Sequence, residues 1–185
     1  MLHRGTMTLM TDTLYLRRFV ADDTEPLFRN LFSDAEAMRF LQWNVHTKID
    51  ETGALLSCFI DGYMKTDYYV WAIILKDSTE PIGFVDTTVD ESISAIKIDF
   101  GIGKQWWRKG YSSNALSAVI RFFFEKIGVN RLYATHDPRN PNSGAVMKKC
   151  GMKYEGTLRQ ARCRKGEYSD RVMYSILIED YSKME

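Results

Sequence analysis

Between Ile96 and Ile102 apolar and polar residues alternate: Ile96, Ile98, Phe100 and Ile102 are separated by Lys97, Asp99 and Gly101. A period of two predicts a strand over 94–102. From Ala115 the period lengthens. Ala115, Leu116, Val119, Ile120, Phe123 and Ile127 fall at helical spacing, and Gly128 supplies a left-handed stop, which predicts a helix over 112–127. Arg131 to His136 reads as the next strand. A strand, helix, strand unit of this length favours a parallel pair with a right-handed crossover.

The flanking patterns fill in the rest. Leu14, Leu16 and Phe19 predict a first strand, and the break at Ala21–Thr24 with Pro26 predicts a helix carrying Leu27, Phe28, Leu31 and Phe32. Asp34 to Leu41 reads as a second short helix, and Thr47 with Asp50 as an approximate capping box for a third over 49–64. Strands over 68–75 and 81–89 precede the one at 94–102, so three hairpin-spaced strands predict an antiparallel meander. After His136, Asn140 fits an N-cap and Pro141 the first helical position, with Gly151 as the stop. Strands over 154–162 and 171–178, joined by a turn at Arg164-Lys165-Gly166-Glu167-Tyr168, close the chain. The fold class is α/β (α+β): one domain over 1–185, a mixed, mostly antiparallel central sheet of six to seven strands with one parallel pair, and helices on both faces.

Composition narrows the function classes. With 185 residues, 45% hydrophobic and 26% charged, the chain supports one globular domain with a substantial core. A net charge of +1 gives no electrostatic case for nucleic acid or for an anionic membrane. Cys58, Cys150 and Cys163 are an odd set without metal-ligand spacing, so the expectation is reduced thiols, no metal and a cytoplasmic protein. No apolar run approaches the ~20 residues of a membrane span, and the start lacks the apolar core of a signal peptide.

Chemistry concentrates where the strand at 94–102 gives way to its helix. Trp107-Arg108-Lys109-Gly110-Tyr111-Ser112-Ser113 has one glycine, two basic side chains and small hydroxyl residues at a helix start. Free backbone N–H groups and the helix dipole make such a point an anion site, although an ordinary strand-to-helix turn with a solvated Arg-Lys pair has the same residues. The wording Trp-Trp-Arg-Lys-Gly-Tyr-Ser-Ser-Asn-Ala-Leu resembles the acyl-CoA pyrophosphate loop of the GCN5-related N-acetyltransferases, the GNAT superfamily, nearest the branch of ribosomal-protein N-terminal acetyltransferases. A second stretch, Asn140-x-x-Ser143-x-x-Val-Met-Lys-Lys-Cys-Gly-Met-Lys-Tyr-Glu-Gly156, resembles the second CoA motif of that family. The resemblance spans about 13–178. It implies that the strands at 94–102 and 131–136 splay and that the pantetheine arm enters between them against the backbone of Phe100, Gly101 and Ile102. It implies the pyrophosphate at Trp107, Arg108, Lys109, Gly110, Tyr111, Ser112 and Ser113, with further cofactor contacts from Asn140, Asn142 and Ser143.

The activity implied is acetyl transfer from acetyl-CoA to a primary amine, of a protein N-terminus or a small molecule, by direct attack in a ternary complex. The amine must lose a proton, the oxyanion needs a donor near Phe100 to Ile102, and the departing thiolate takes a proton. Two positions depart from the family pattern. Its central-strand glutamate is replaced by Lys97, and its helix tyrosine by Met147. Asp99, on the same strand face as Lys97, is the candidate base, or else a solvated carboxylate. Tyr154 or Ser143 stands in as the acid, or the thiolate leaves unaided. Phe40, Trp43, His46, Phe59 and Tyr63 are candidates for the acceptor pocket, each also readable as core. Cys150 reads as core, and Arg159, Arg162, Arg164 and Lys165 as a solvated face or as contacts for an acidic acceptor. Two alternatives stay open: a CoA-binding sensor or regulatory module that has lost turnover, and homodimerisation through the late strands.

Overall fold

The run Val70–Leu75 explains the layering. Tyr69, Trp71 and Ile73 are buried toward one side, and Val70, Ala72 and Ile74 toward the other, so both faces of this strand are covered. It sits inside a single sheet in a computed structural model that describes residues 1–164 and 166–183. The strands are β1 (Leu9–Met10), β2 (Leu14–Arg17), β3 (Val70–Leu75), β4 (Pro81–Asp90), β5 (Ala95–Ile102), β6 (Arg131–His136), β7 (Lys153–Arg164) and β8 (Glu167–Leu177). Their order is β1-β2-β3-β4-β5-β6-β8-β7, antiparallel everywhere except between β5 and β6. The sheet has eight strands where six to seven were expected; the two-residue β1 is too short to leave a period in the sequence.

The helices are α1 (Thr24–Leu27), α2 (Ile49–Gly62), α3 (Tyr111–Phe122), α4 (Pro141–Lys149) and α5 (Ile178–Tyr181). A 3-10 turn (Ala21–Asp23) leads into α1, and π turns extend α1 over Phe28–Phe32 and α3 over Phe123–Ile127. The apolar stripe of α3, with Leu116, Val119 and Phe123, packs on Trp71, Val85 and Ile96. Leu27, Leu31, Phe32, Leu56 and Phe59 cover the opposite face against Val70, Ala72 and Phe84. Burying side chains of this size contributes about 1.5–3 kcal/mol each, so two apolar layers hold the sheet on both sides.

The sequence expectation fails most clearly at Asp34–Leu41, which is a series of turns. The Asp34 carboxylate accepts from the Glu36 and Ala37 N–H groups at 2.8 and 3.2 Å, an Asx turn that competes with a helix. Further on, the carbonyls of Phe40, Arg39 and Trp43 accept from arginines of β7 and are withdrawn from any helical ladder. At α2 the capping carboxylate is Glu51 rather than Asp50: it accepts from the Thr47 and Lys48 N–H groups at 2.5 and 3.1 Å.

Candidate functional site

Pairing between β5 and β6 stops early. Ala95, Ile96 and Lys97 pair with Arg131, Leu132 and Tyr133, yet β5 runs on to Ile102 and β6 to His136. Beyond Lys97 the two strands diverge, opening a seam in the middle of the sheet. Gly103 N–H bonds to the Ile82 carbonyl at 2.8 Å, which fixes the phase of the β4–β5 ladder. In that phase Lys97, Asp99 and Gly101 turn their backbone groups to β4, while Ile98, Phe100 and Ile102 turn theirs to the seam. The Ile102 carbonyl is taken by the Trp107 indole N–H at 2.9 Å. Of the expected trio, Phe100 and Ile102 therefore face the seam, Ile102 with its carbonyl already bonded, and Gly101 does not. A Cβ at Gly101 would meet Phe84 and Leu41 at 2.7 and 2.9 Å, so this glycine lets the loop above close down on the sheet.

At the far end of the seam the chain turns through Trp107–Gly110 into α3. Arg108 and Gly110 both have positive φ, 61° and 85°. Alternating left-handed positions turn successive N–H groups toward one point, and the first N–H groups of a helix have no carbonyl within it. Among the described residues no side chain caps this 12-residue helix and a Cβ built at Gly110 meets nothing within 4 Å, and the first turn carries no acidic residue. The opening is therefore accessible backbone with the helix dipole behind it, flanked by exposed Arg108 and Lys109 and half-buried Tyr111 and Ser112. Ser113 is buried, and its hydroxyl donates to the Gly110 carbonyl at 2.9 Å, which holds the turn.

A cleft of ≈ 430 Å³ runs through the seam. On the α3 and α4 side it meets Ile98, Phe100, Met147, Asn140 and Ser143. Asn140 does not cap α4 with its side chain; its amide donates to Ser143 Oγ at 3.2 Å. Asn142 is exposed and outside the cleft lining. Met147, in the position that the resemblance assigns to an acid, is buried and contributes only an apolar wall. Tyr154 does not reach the cleft: it is 58% exposed on β7, edge-on to Tyr174, with its hydroxyl 3.3 Å from Thr157 Oγ1. As an acid it has no path to the seam.

The opposite side of the cleft is roofed by Phe40, Gln42 and Trp43. Of the other pocket candidates, His46 stacks on Phe32 with ring centroids 4.6 Å apart, and Phe59 packs in the same layer. The Tyr63 hydroxyl donates to the Val70 carbonyl and accepts from the Phe19 N–H, and burial pushes it up to about 12. These three are core. Arg162 and Arg164 are not a solvated face either. Arg162 donates to the Phe40 carbonyl at 2.8 Å and also bonds to that of Leu41. Arg164 donates to the carbonyls of Arg39 and Trp43 at 2.9 and 2.7 Å. Two arginines of β7 thus clasp the roof to the sheet. Arg159 is exposed as expected, and Lys165 lies outside the described residues.

On the cleft floor Asp99 forms an ion pair with Lys97, Oδ2 to Nζ 2.6 Å. Its cross-strand neighbour is Asp86, which the sequence reading missed. Burial, then the charge of Asp99, push Asp86 up to about 6; the Thr87 N–H and the Gln42 amide oppose the rise. Arg171 on β8 also lines the floor and was likewise overlooked. A charged residue amid the apolar run Ile82–Val89 was the available signal for Asp86; its partnership with Asp99 depends on register. Cys150 is buried against Ser113 and Ser117, and burial raises its thiol.

A family model described as an acetyltransferase (GNAT) domain matches residues 13–153. The chain belongs to the GNAT acetyltransferase family. This acetyltransferase is 26% identical over 176 residues to an uncharacterized N-acetyltransferase, p20, of Bacillus licheniformis, covering 95% of this chain and 98% of that one. It is 28% identical over 116 residues to the ribosomal protein uS5-alanine N-acetyltransferase of Escherichia coli, covering 62% and 60% of the two chains. A ribosomal L7/L12 α-N-protein acetyltransferase solved in complex with coenzyme A shares its fold, with a TM-score of 0.83 at 20% identity over 94% of this chain and 99% of that one.

Proposed function

We propose that this GNAT enzyme acetylates a primary amine from acetyl-CoA, with Asp99 as base and the Phe100 N–H as oxyanion donor. The observation that carries the reading is the seam. A gap between two diverging strands ends at a helix N-terminus with open backbone, and it runs past a seam-facing backbone N–H next to a cleft carboxylate. The cradle at 108–112 suits a pyrophosphate in shape and charge, and Asn140 and Ser143 add polar contacts along the same wall. Acetyl-CoA, when bound, supplies the acetyl group and a thiolate leaving group.

The protein's own tasks follow. An ammonium has no lone pair, so the acceptor first gives a proton to Asp99, with Lys97 fixing the orientation of that carboxylate. The amine lone pair then forms the C–N bond and the C–S bond breaks. The second nitrogen proton passes to solvent, and the thiolate is protonated from water, since neither Met147 nor Tyr154 offers an acid at the seam. The Phe100 N–H steadies the carbonyl oxygen as negative charge grows on it. Holding both partners in one cleft accounts for much of the acceleration.

The test is thiol release from acetyl-CoA with purified protein and a panel of peptides and small amines. Acceptor-dependent release that Asp99→Asn reduces by about 10²-fold or more supports the reading. Release undiminished in Asp99→Asn refutes the base assignment. Stabilisation by acetyl-CoA without release for any amine refutes turnover.

A further inference from the structure

The cleft is lined by charged side chains of both signs, and the balance of partners among them is uneven. On the β5 side Asp99 already has Lys97 at 2.6 Å. At the mouth Asp137 has Arg139, whose guanidinium donates to both carboxylate oxygens at 2.8 and 2.7 Å. Arg162 is engaged with the carbonyls of Phe40 and Leu41. Arg171 is different. Among the described residues no atom accepts a hydrogen bond from its guanidinium, and the carboxylates whose charge reaches it, Asp137 and Asp99, are both paired elsewhere. It is half-buried, and burial pulls it down from the ordinary guanidinium value. A partly desolvated cation lining a cleft with no hydrogen-bonded partner is a binding group for an anion.

Its placement says which anion. Thr135 pairs with Met173 across β6–β8, and Tyr133 with Ser175. Arg171 lies two residues before Met173, so it shares the sheet face of Tyr133 and Thr135, which is the face of Lys97 and Asp99 across the seam. Leu158, its partner on β7, lies beside it on the floor. The cofactor cradle opens from the other face, where α3 packs, so the phosphates expected there are not the partner of Arg171. From the reading that the acceptor amine sits at Asp99, we infer that the acceptor carries a carboxylate close to that amine and that Arg171 receives it. The amine then faces Asp99 and the carboxylate faces Arg171, whose planar guanidinium holds it in two-point contact.

The experiment measures binding as well as turnover. N-acetyl amino acids and their carboxamide twins, as product mimics, are titrated calorimetrically into the CoA-loaded protein. The wild type should bind the acids at least about tenfold more tightly than the amides, the loss expected when a charge-assisted hydrogen bond is removed. Arg171→Gln should abolish that preference and Arg171→Lys should keep part of it, with the melting temperature in CoA unchanged as a check on folding. In the thiol-release assay Arg171→Gln should raise KM for carboxylate-bearing amines more than it lowers kcat. Free amino acids and peptides with an acidic second residue form separate arms and locate the carboxylate. Equal binding of acids and amides, absence of binding for every acid, or a preference that survives Arg171→Gln overturns the inference. The titration needs no turnover, so failure of the acetyl-transfer reading, seen as no thiol release with any amine, is read separately.

Discussion

Asp86→Asn tests the electrostatics of the cleft floor in one change. Asp86 faces Asp99 across the β4–β5 ladder, and burial together with that like charge pushes it up to about 6. An unfolded chain leaves an aspartate near 3.9, so the folded state disfavours the ionised form by about two units, or about 3 kcal/mol at 1.36 kcal/mol per unit. Because the folded value is the raised one, the native state binds the proton more tightly. The contribution of this one group to stability is highest below about pH 4, falls as pH rises toward about 6, and stays on the lower plateau above. Asparagine removes the charge and keeps its Oδ1 as acceptor for the Thr87 N–H, while its Nδ2 replaces the oxygen that accepted from the Gln42 amide, so the exposed Gln42 side chain must turn its own oxygen toward it. At pH 7.5 the variant should gain up to about 3 kcal/mol, which in a chain of this length raises Tm by about 6–12 °C, less the cost of burying the new amide. Thermal melts from pH 4 to 8 should show the gain shrinking to nothing near pH 4. A variant no more stable than wild type at pH 7.5, or one equally stabilised at pH 4, refutes the reasoning.

Other perturbations probe other parts of the site. Arg164→Ala removes the donor to the Arg39 and Trp43 carbonyls; it should cost about 1–3 kcal/mol in denaturant unfolding and raise KM for the acceptor while leaving CoA affinity intact. Gly110→Trp places a side chain at φ 85° and over the open backbone, so it should lower Tm by a few degrees and weaken CoA binding at least about tenfold by calorimetry. Glu155 is held down at about 2 by the Arg131 guanidinium; stability from this pair is present above about pH 4.5 and lost as pH falls toward 2. Arg131→Gln should flatten that part of the acid-denaturation curve, and an unchanged curve would remove the pair from the account.

The elements that made the site legible are those whose signal is local. Alternation at Ile96–Ile102, the helical stripe of α3 and the glycine at Gly110 each reflect a short-range backbone demand, and all were found in place. Asp34–Leu41 has helical composition and is not helical, because its Arg39 and Phe40 carbonyls are captured by arginines more than 100 residues away, a contact no window could contain. The solvated-face reading of Arg162 and Arg164 failed for the same reason. Tyr154 was a candidate by its nearness to the second motif, but the pleat of β7 directs it to solvent.

By itself the sequence determined the layered mixed sheet, the glycine loop at a helix start and the family, since periodicity and motif spacing are properties of neighbouring residues. Only the tertiary structure decided the chemistry of the floor. Register alone sets Asp86 opposite Asp99, and strand order alone brings Arg171, 72 residues along the chain from Asp99, onto the same face. A one-residue slip in either strand would have turned those side chains to the other side of the sheet.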